Sequence, residues 1–407
     1  MRQIRAQIPK QETGAETLLG GSSEATRRGV VLRTLRLCLL APFISYGIVY
    51  SLPLAESLRD FGSFLMSGRA AREGLDPYGA HAFVLPGFDT QNYGLNLNPP
   101  ISVLAFRALS DLDPVMMFRA WFGLSMALYV LVLVLLGHAY ATRVTFVRIV
   151  WALGLAGLWS SLHLGQIYTL LFATGVAAWL LLKRKRLVLA GLLIGILVAI
   201  KPNFVVWPVL LLAAGYPVAA LPALLSGAVL SAVPLLVFGP SVYSSWLQVL
   251  PAATATGAAT NGSLIGLMDR LGMPWVGIAA ATVLLLAIAT WAWRCRPCIL
   301  FLSAVAITSS LLAAPLAWEG YTLLLLPVFF ERSWGPLLTT AAVLLLPPAG
   351  LVMDLSRAFP WSLFTLGSAY NAALLLVFIA LAMEALRPLA SRVGLVPPST
   401  PILRTPP

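Results

Sequence analysis

The sequence predicts an all-α polytopic membrane protein of about twelve transmembrane helices. Three observations predict it. Of the 407 residues, 59% are hydrophobic and only 10% are charged, where an ordinary soluble domain carries about 25% charged residues. The mean hydropathy is +0.88. The apolar residues fall in continuous runs near the length of a bilayer-spanning helix rather than in alternating patterns, which excludes a β-barrel. A soluble chain of this length has no core large enough for so much apolar surface. The composition therefore excludes a soluble globular enzyme, a disordered chain and a nucleic-acid-binding domain. The pI of about 10.1 reads as excess Lys and Arg in cytoplasmic loops rather than as a nucleic-acid footprint.

The elements follow in order. Residues 1–32 are polar and read as a disordered cytoplasmic tail. The first apolar run covers about 35–54, and the polar tail before it argues against a signal peptide. A long loop, 55–114, is rich in Asp, Asn, Pro and Gly. Further apolar runs cover about 115–140, 146–162, 167–182, 187–200, 203–215, 218–238, 275–293, 298–314, 321–330, 336–352 and 362–385. A Pro-rich tail, 389–407, closes the chain, so residues 33–388 form one membrane domain.

Orientation follows from the basic residues. With the N-terminus inside, 19 of the 27 Lys and Arg fall on the cytoplasmic side, among them Lys183, Arg184, Lys185 and Arg186. The acidic residues split the other way, giving +14 inside and −2 outside. Both termini are then cytoplasmic and the loop 55–114 is extracytoplasmic, in the plasma (inner) membrane.

Three cysteines make no disulfide framework. Cys295 and Cys298 form a CxxC without a second pair or a nearby His, and read as incidental thiols.

The polar residues gather at one face. Asp60, Asp76, Asp89, Asn92, Asn96 and Asn98 lie in the first loop. His163, Gln166, Lys201, Asn261, Asp269, Trp318 and Glu319 lie at outside ends of later spans. Ionisable groups at membrane depth are costly and mark function, so the gathering predicts a site open to the extracytoplasmic side. In the loop, Phe61, Phe64, Leu65 and Ala71 share one helical face, which predicts a short interfacial helix starting near Asp60 and ending at Gly74. Asp60 reads either as its cap or as a catalytic carboxylate. Asn98-Pro99-Pro100 predicts a turn into a second short helix. Asp111-Leu112-Asp113-Pro114 is a DxD that can hold a metal, but Asp before Pro is also an N-cap signature. Lys201 either snorkels to the interface or meets an anion such as phosphate. Trp318 and Tyr321 fit an interfacial aromatic belt. Asn261-Gly262-Ser263 matches the N-glycosylation pattern by chance.

These segments, in this order, resemble glycosyltransferase family 87, polytopic polyprenyl-phosphate-sugar-dependent, mannosyltransferase-like proteins of the GT-C class. The resemblance runs from Asp60 to Tyr321. It rests on Asp60, Gly74-Leu75-Asp76-Pro77-Tyr78, Asn98-Pro99-Pro100 and His163-Leu164-Gly165-Gln166. It also rests on Ala190 to Gly195 leading to Lys201-Pro202, on Asn261-Gly262-Ser263-Leu264 with Arg270, and on Pro315-Leu316-Ala317-Trp318. It implies a GT-C-like fold whose long first extracytoplasmic loop carries short interfacial helices. It also implies a first-loop aspartate acting as general base, the position Asp60 matches. The family often has His shortly after the Trp of the late motif. Here Glu319-Gly320-Tyr321 follows Trp318, which leaves the donor contacts open.

The expected function is hexose transfer, mannose-like, from a polyprenyl phosphate sugar in the bilayer to a lipid or glycan acceptor hydroxyl, inverting and without a metal or cofactor. Asp60 is the expected catalytic residue. Lys201, Gln166, Glu319, Trp318, Tyr78, Asn261 and His163 are the expected donor- or acceptor-binding set. The competing class is a transporter of a small or lipid-linked solute. The polar gathering at one face, rather than at the bilayer centre, counts against it.

Overall fold

A computed structural model describes residues 15–51, 58–79, 96–252, 255–358, 361–362 and 365–386. Asp89 and Asn92 of the first loop, the start of the N-terminal tail and the whole expected C-terminal tail lie outside the described residues. Among the described residues every regular element is helical.

Helix α1 (Ala15–Ser51) begins inside the expected N-terminal tail and carries the first apolar run. The first loop holds α2 (Arg59–Arg72) and α3 (Pro100–Leu109). Helix α4 (Pro114–Ala139) returns, followed by α5 (Phe146–Leu153), α6 (Ala156–Leu164), α7 (Tyr168–Lys183) and α8 (Leu187–Ile200). A 3₁₀ turn, Pro202–Val205, leads into α9 (Val206–Ala213), then α10 (Pro217–Phe238) and α11 (Ser241–Ala252). After α12 (Leu264–Arg270) come α13 (Pro274–Cys295) and α14 (Ile299–Ala313). A 3₁₀ helix, Glu319–Leu325, runs into α15 (Leu326–Glu331). Helices α16 (Pro336–Leu344), α17 (Ala349–Ala358) and α18 (Ala369–Leu386) complete the bundle.

Among the described residues six helices are long and apolar enough to cross a membrane, seven if the bent pair α16–α17 is one span. The chain is thus a multi-pass membrane protein by composition and helix length. Among the described residues the twelve expected apolar runs fall on helical segments, but several of these are short: α7, α8, α14 and the segment Pro202–Ala213 have 10–17 residues. The run expected as one span over 336–352 is broken. Helices α16 and α17 meet at 94°. Pro347 and Pro348 lie between them, and proline removes a backbone donor and disfavours helix before it.

The first-loop helix forms where expected, and Gly74 takes a left-handed φ of 74° just past its end. Its apolar face is not spent on the membrane surface. Phe61, Phe64 and Leu65 are buried in the protein core, with Phe61 5.5 Å from the Phe118 ring of α4 and 5.7 Å from Phe106 of α3. Packing of this kind fixes α2 against the bundle. The DxD resolves into two local contacts. Asp113 accepts from the Met116 amide at 2.7 Å, capping α4 ahead of Pro114, and Asp111 pairs with Arg72.

Several polar groups inside the bundle find partners within it, as lipid surroundings demand. Tyr129 donates to the Ala152 carbonyl at 2.6 Å, Trp179 to Tyr140 at 2.8 Å and Trp207 to Ser303 at 2.9 Å. In α14, Thr308, Ser309 and Ser310 return their hydroxyls to carbonyls one turn back. The small residues Ala190, Gly191 and Gly195 of α8 pack against α10, the close approach expected of them.

Candidate active site

The site grows from two breaks in helices that meet beside α2. The first is the turn after α6. Gly165 adopts φ 66°, and a side chain there would lie 2.6 Å from both Phe61 and Phe118. Only glycine satisfies both the left-handed backbone and the contact. The turn aims Gln166 at the first turn of α2, where its amide donates to the Asp60 carboxylate. The Gln166 backbone is fixed as well: its N–H donates to Ser161, and its carbonyl accepts from Trp121.

The cap alternative for Asp60 is answered by position. Leu58 is the residue flanking the helix start, and Asp60 sits within the first turn. There its charge still gains from the helix dipole, but its carboxylate is directed to Gln166.

The second break follows α14. Residues 314–318 are non-helical, and the 3₁₀ helix starts at Glu319. Asn261 holds this segment. Its amide nitrogen donates to the carbonyls of Thr256 (2.8 Å) and Pro315 (2.9 Å). Its oxygen accepts from the amides of Ser263 (3.2 Å) and Ala317 (2.8 Å). Gly262 adds a backbone bond to Ala317, and Ser263 caps α12. Glu319 then lies against α6, where Ser160 donates to its carboxylate at 2.5 Å. The approach is close enough that a side chain on Gly157 would meet the Glu319 carbonyl at 2.5 Å.

Between these breaks lies a cavity of about 350 Å³. Its polar wall comprises Asp60, Ser160, Gln166, Tyr168, Trp318 and Glu319. Tyr46 and Tyr50 of α1 line it too, and it continues past Phe43 to Leu346, Pro348 and Met353 at the bent pair. The lining thus combines polar and apolar side chains. The Asp60 carboxylate acts electrostatically on Glu319, Tyr168 and Lys201, which places all four groups in one neighbourhood.

The structure sorts the expected residues. Asp60, Gln166, Trp318 and Glu319 line one cavity. Lys201 stands behind its wall at the end of α8, with its ammonium 5.7 Å from the Tyr168 ring and 5.3 Å from the Tyr321 ring. That is a cation–π arrangement, so Lys201 turns inward to aromatic rings rather than outward to the interface. The Tyr321 ring lies tilted against that of Tyr168, with centroids 4.4 Å apart, and is enclosed, not part of an exposed belt. His163 stacks on Tyr50 at 3.9 Å, one layer behind the lining.

Two expected binding residues are placed elsewhere. Tyr78 is buried in a separate cluster with Val103 and Val242 and donates to the Asn98 carbonyl at 2.7 Å. Burial pushes its hydroxyl pKa far up, which suits a fixed structural donor. Asn261 is 0% exposed, with both amide atoms engaged by the chain itself. Neither lines this cavity: Asn261 holds the segment that leads to Glu319, and Tyr78 ties residue 78 to Asn98 within the first loop. Sequence reasoning missed Ser160, Tyr168, Tyr50 and Thr260, all of which line it.

Among the described residues no cluster of His, Cys, Asp and Glu has the grouping of a metal site. A search of curated proteins returns no match, and a search of solved structures returns none. The model of glycosyltransferase family 87 matches residues 96–315, more than half of the chain. The matched region contains His163, Gln166, Lys201 and Asn261, while Asp60 precedes it and Trp318 and Glu319 follow it directly. A multi-pass helical protein with a half-polar cavity at the junction of its broken helices, matched over this length, belongs to glycosyltransferase family 87.

Proposed function

We propose that the chain transfers a hexose, mannose-like, from a polyprenyl phosphate sugar to an acceptor hydroxyl of a lipid or glycan at the extracytoplasmic face of the plasma membrane. The observation that carries this reading is the cavity itself. Its lining sets a carboxylate of the first-loop helix among polar side chains and includes apolar residues of α1 and the bent pair. A lipid-linked sugar has the same mixed character, with an isoprenoid tail, a phosphate and a hydroxyl-rich head.

In this reading the acceptor oxygen bonds to the anomeric carbon as the bond from that carbon to the phosphate oxygen breaks. The bonding electron pair leaves on the phosphate. The acceptor proton passes to Asp60, acting as general base. Gln166 fixes the carboxylate orientation. A single displacement inverts the anomeric centre. The Lys201 ammonium, within electrostatic reach of Asp60, offsets the charge gathering on the leaving phosphate. The phosphate departs without a metal, which agrees with Asp113 serving as a cap and Asp111 pairing with Arg72.

The architecture proposed with it is GT-C-like, with about twelve spans, both termini cytoplasmic and α2 and α3 outside. The distribution of basic residues supports the orientation.

The testing experiment is transfer in membranes, with a panel of polyprenyl phosphate hexoses and pentoses set against nucleotide sugars, each with and without EDTA. Transfer from a lipid phosphate sugar that survives EDTA is expected. Transfer only from nucleotide sugars, or activity abolished by EDTA and restored by Mg²⁺, would overturn the donor and the metal-free chemistry respectively.

A further inference from the structure

Glu319 is 6% exposed and lies in the cavity wall. Its carboxylate accepts from the Ser160 hydroxyl and from its own backbone amide, and among the described residues no cation pairs with it. A buried carboxylate with so little compensation is costly. It has room for more hydrogen bonds than one hydroxyl and one amide supply, and it lines the cavity. Trp318, the neighbouring residue, lines the same wall. Its indole offers the flat apolar face that the C–H side of a pyranose ring can cover.

The geometry points to a sugar cradle: Glu319, held by Ser160 beside Trp318, accepts hydrogen bonds from the ring hydroxyls of the transferred sugar and restricts the enzyme to neutral glycosyl groups. The inference rests on the glycosyl-transfer reading of this cavity and extends it to the class of sugar. A hydroxyl donates to a carboxylate more strongly than to a neutral acceptor, and vicinal hydroxyls engage both carboxylate oxygens. Restriction follows from charge. Asp60 and Glu319 already face one small volume. A glycosyl group bearing its own carboxylate or phosphate would bring a third negative charge beside these two, and like charges at close range repel. The donor's linking phosphate must then sit at the other side of the anomeric centre, away from Glu319.

The test compares wild type with Glu319→Gln, which keeps shape and the Ser160 contact but not the charge. The assay uses whichever donor class supports transfer, polyprenyl phosphate or nucleotide sugar, so failure of the lipid donor is read separately from failure of the cradle. The donors are the parent sugar, its single deoxy analogues and the corresponding uronic acid. Glu319→Gln is expected to raise KM for the parent sugar by about ten- to a hundredfold, the range for a lost charged hydrogen bond. The penalty for at least one deoxy donor should shrink in the variant. The uronosyl donor should be refused by wild type and gain against the parent sugar in the variant. Unchanged KM and unchanged deoxy and uronosyl discrimination would overturn the cradle. Folded yield is checked by gel filtration in detergent. If Glu319→Gln does not fold, Ser160→Ala replaces it: freeing the carboxylate should raise KM and reduce deoxy discrimination, and parent-like values in both would overturn the proposal.

Discussion

Replacing Asn261 tests how the site is held. The side chain is fully enclosed and makes four hydrogen bonds of 2.8–3.2 Å, two donated to carbonyls and two accepted from amides. Asn261→Ala removes all four and leaves the buried amides of Ser263 and Ala317 and the part-buried carbonyls of Thr256 and Pro315 without that partner. Each such loss costs roughly 1 kcal/mol net. Pro315 retains a long contact from Ser263 at 3.5 Å, so the sum is nearer about 3 kcal/mol than 4. Asn261→Asp is the sharper variant. It keeps the acceptor for the Ser263 and Ala317 amides, but turns a carboxylate oxygen toward two carbonyl oxygens, and should be at least as damaging. The assay is thermal unfolding of the detergent-solubilised protein by tryptophan fluorescence, paired with the transfer rate per folded molecule. Both variants should unfold at lower temperature, and Asn261 should carry no glycan in a glycosylating host. Wild-type stability in both, with normal transfer, would refute the staple and return Asn261 to the list of ligand contacts.

Three further predictions follow from the geometry. Gly165→Ala forces a side chain into Phe61 and Phe118 at a left-handed φ. It should cost on the order of 1–3 kcal/mol in backbone strain and cut transfer by displacing Gln166, as read by unfolding and turnover together; a fully active, stable variant contradicts this. Lys201→Met keeps length and packing beside Tyr168 and Tyr321 but removes the charge, and should slow donor turnover at least tenfold with folding preserved; unchanged donor kinetics would confine Lys201 to a structural role. Cysteines placed at exposed Glu73 and Arg184 and challenged with an impermeant thiol reagent in intact cells, in a background with the native cysteines replaced, should label at 73 only. Labelling at 184 only would invert the orientation.

What the sequence made legible was local. Continuous apolar runs located the helices, because burial in lipid leaves a signal along a single segment. Asp113 before Pro114 announced its cap, and Gly74 its helix end, since both rest on neighbouring residues. The breaks were harder. The run 336–352 is apolar throughout, and only its paired prolines mark the 94° bend. The face of α2 was read correctly as apolar, but nothing within α2 says whether membrane or protein covers it; Phe106 and Phe118, far along the chain, decide that. The site divides the same way. Asp60, Gln166 and Glu319 stood out as polar residues among apolar ones. Ser160 did not, because a lone serine in a helix is ordinary until Glu319, 159 residues away, is found against it. Asn261 and Tyr78 carried the same polar or motif signal as the cavity residues, and only their partners reveal that they serve the framework.

The central claim is that Asp60 removes the acceptor proton, and Asp60→Asn tests it most directly. Asn keeps the size of the side chain and can turn its carbonyl oxygen to the Gln166 amide that now meets the carboxylate, so the framework should stand. It cannot accept a proton at neutral pH. The measurement is kcat for glycosyl transfer alongside donor KM and unfolding temperature. The account predicts kcat lower by roughly two to four orders of magnitude, the range of general base catalysis, with donor KM and stability little changed. A variant within about tenfold of wild type, equally stable, would contradict it and remove Asp60 from the chemistry.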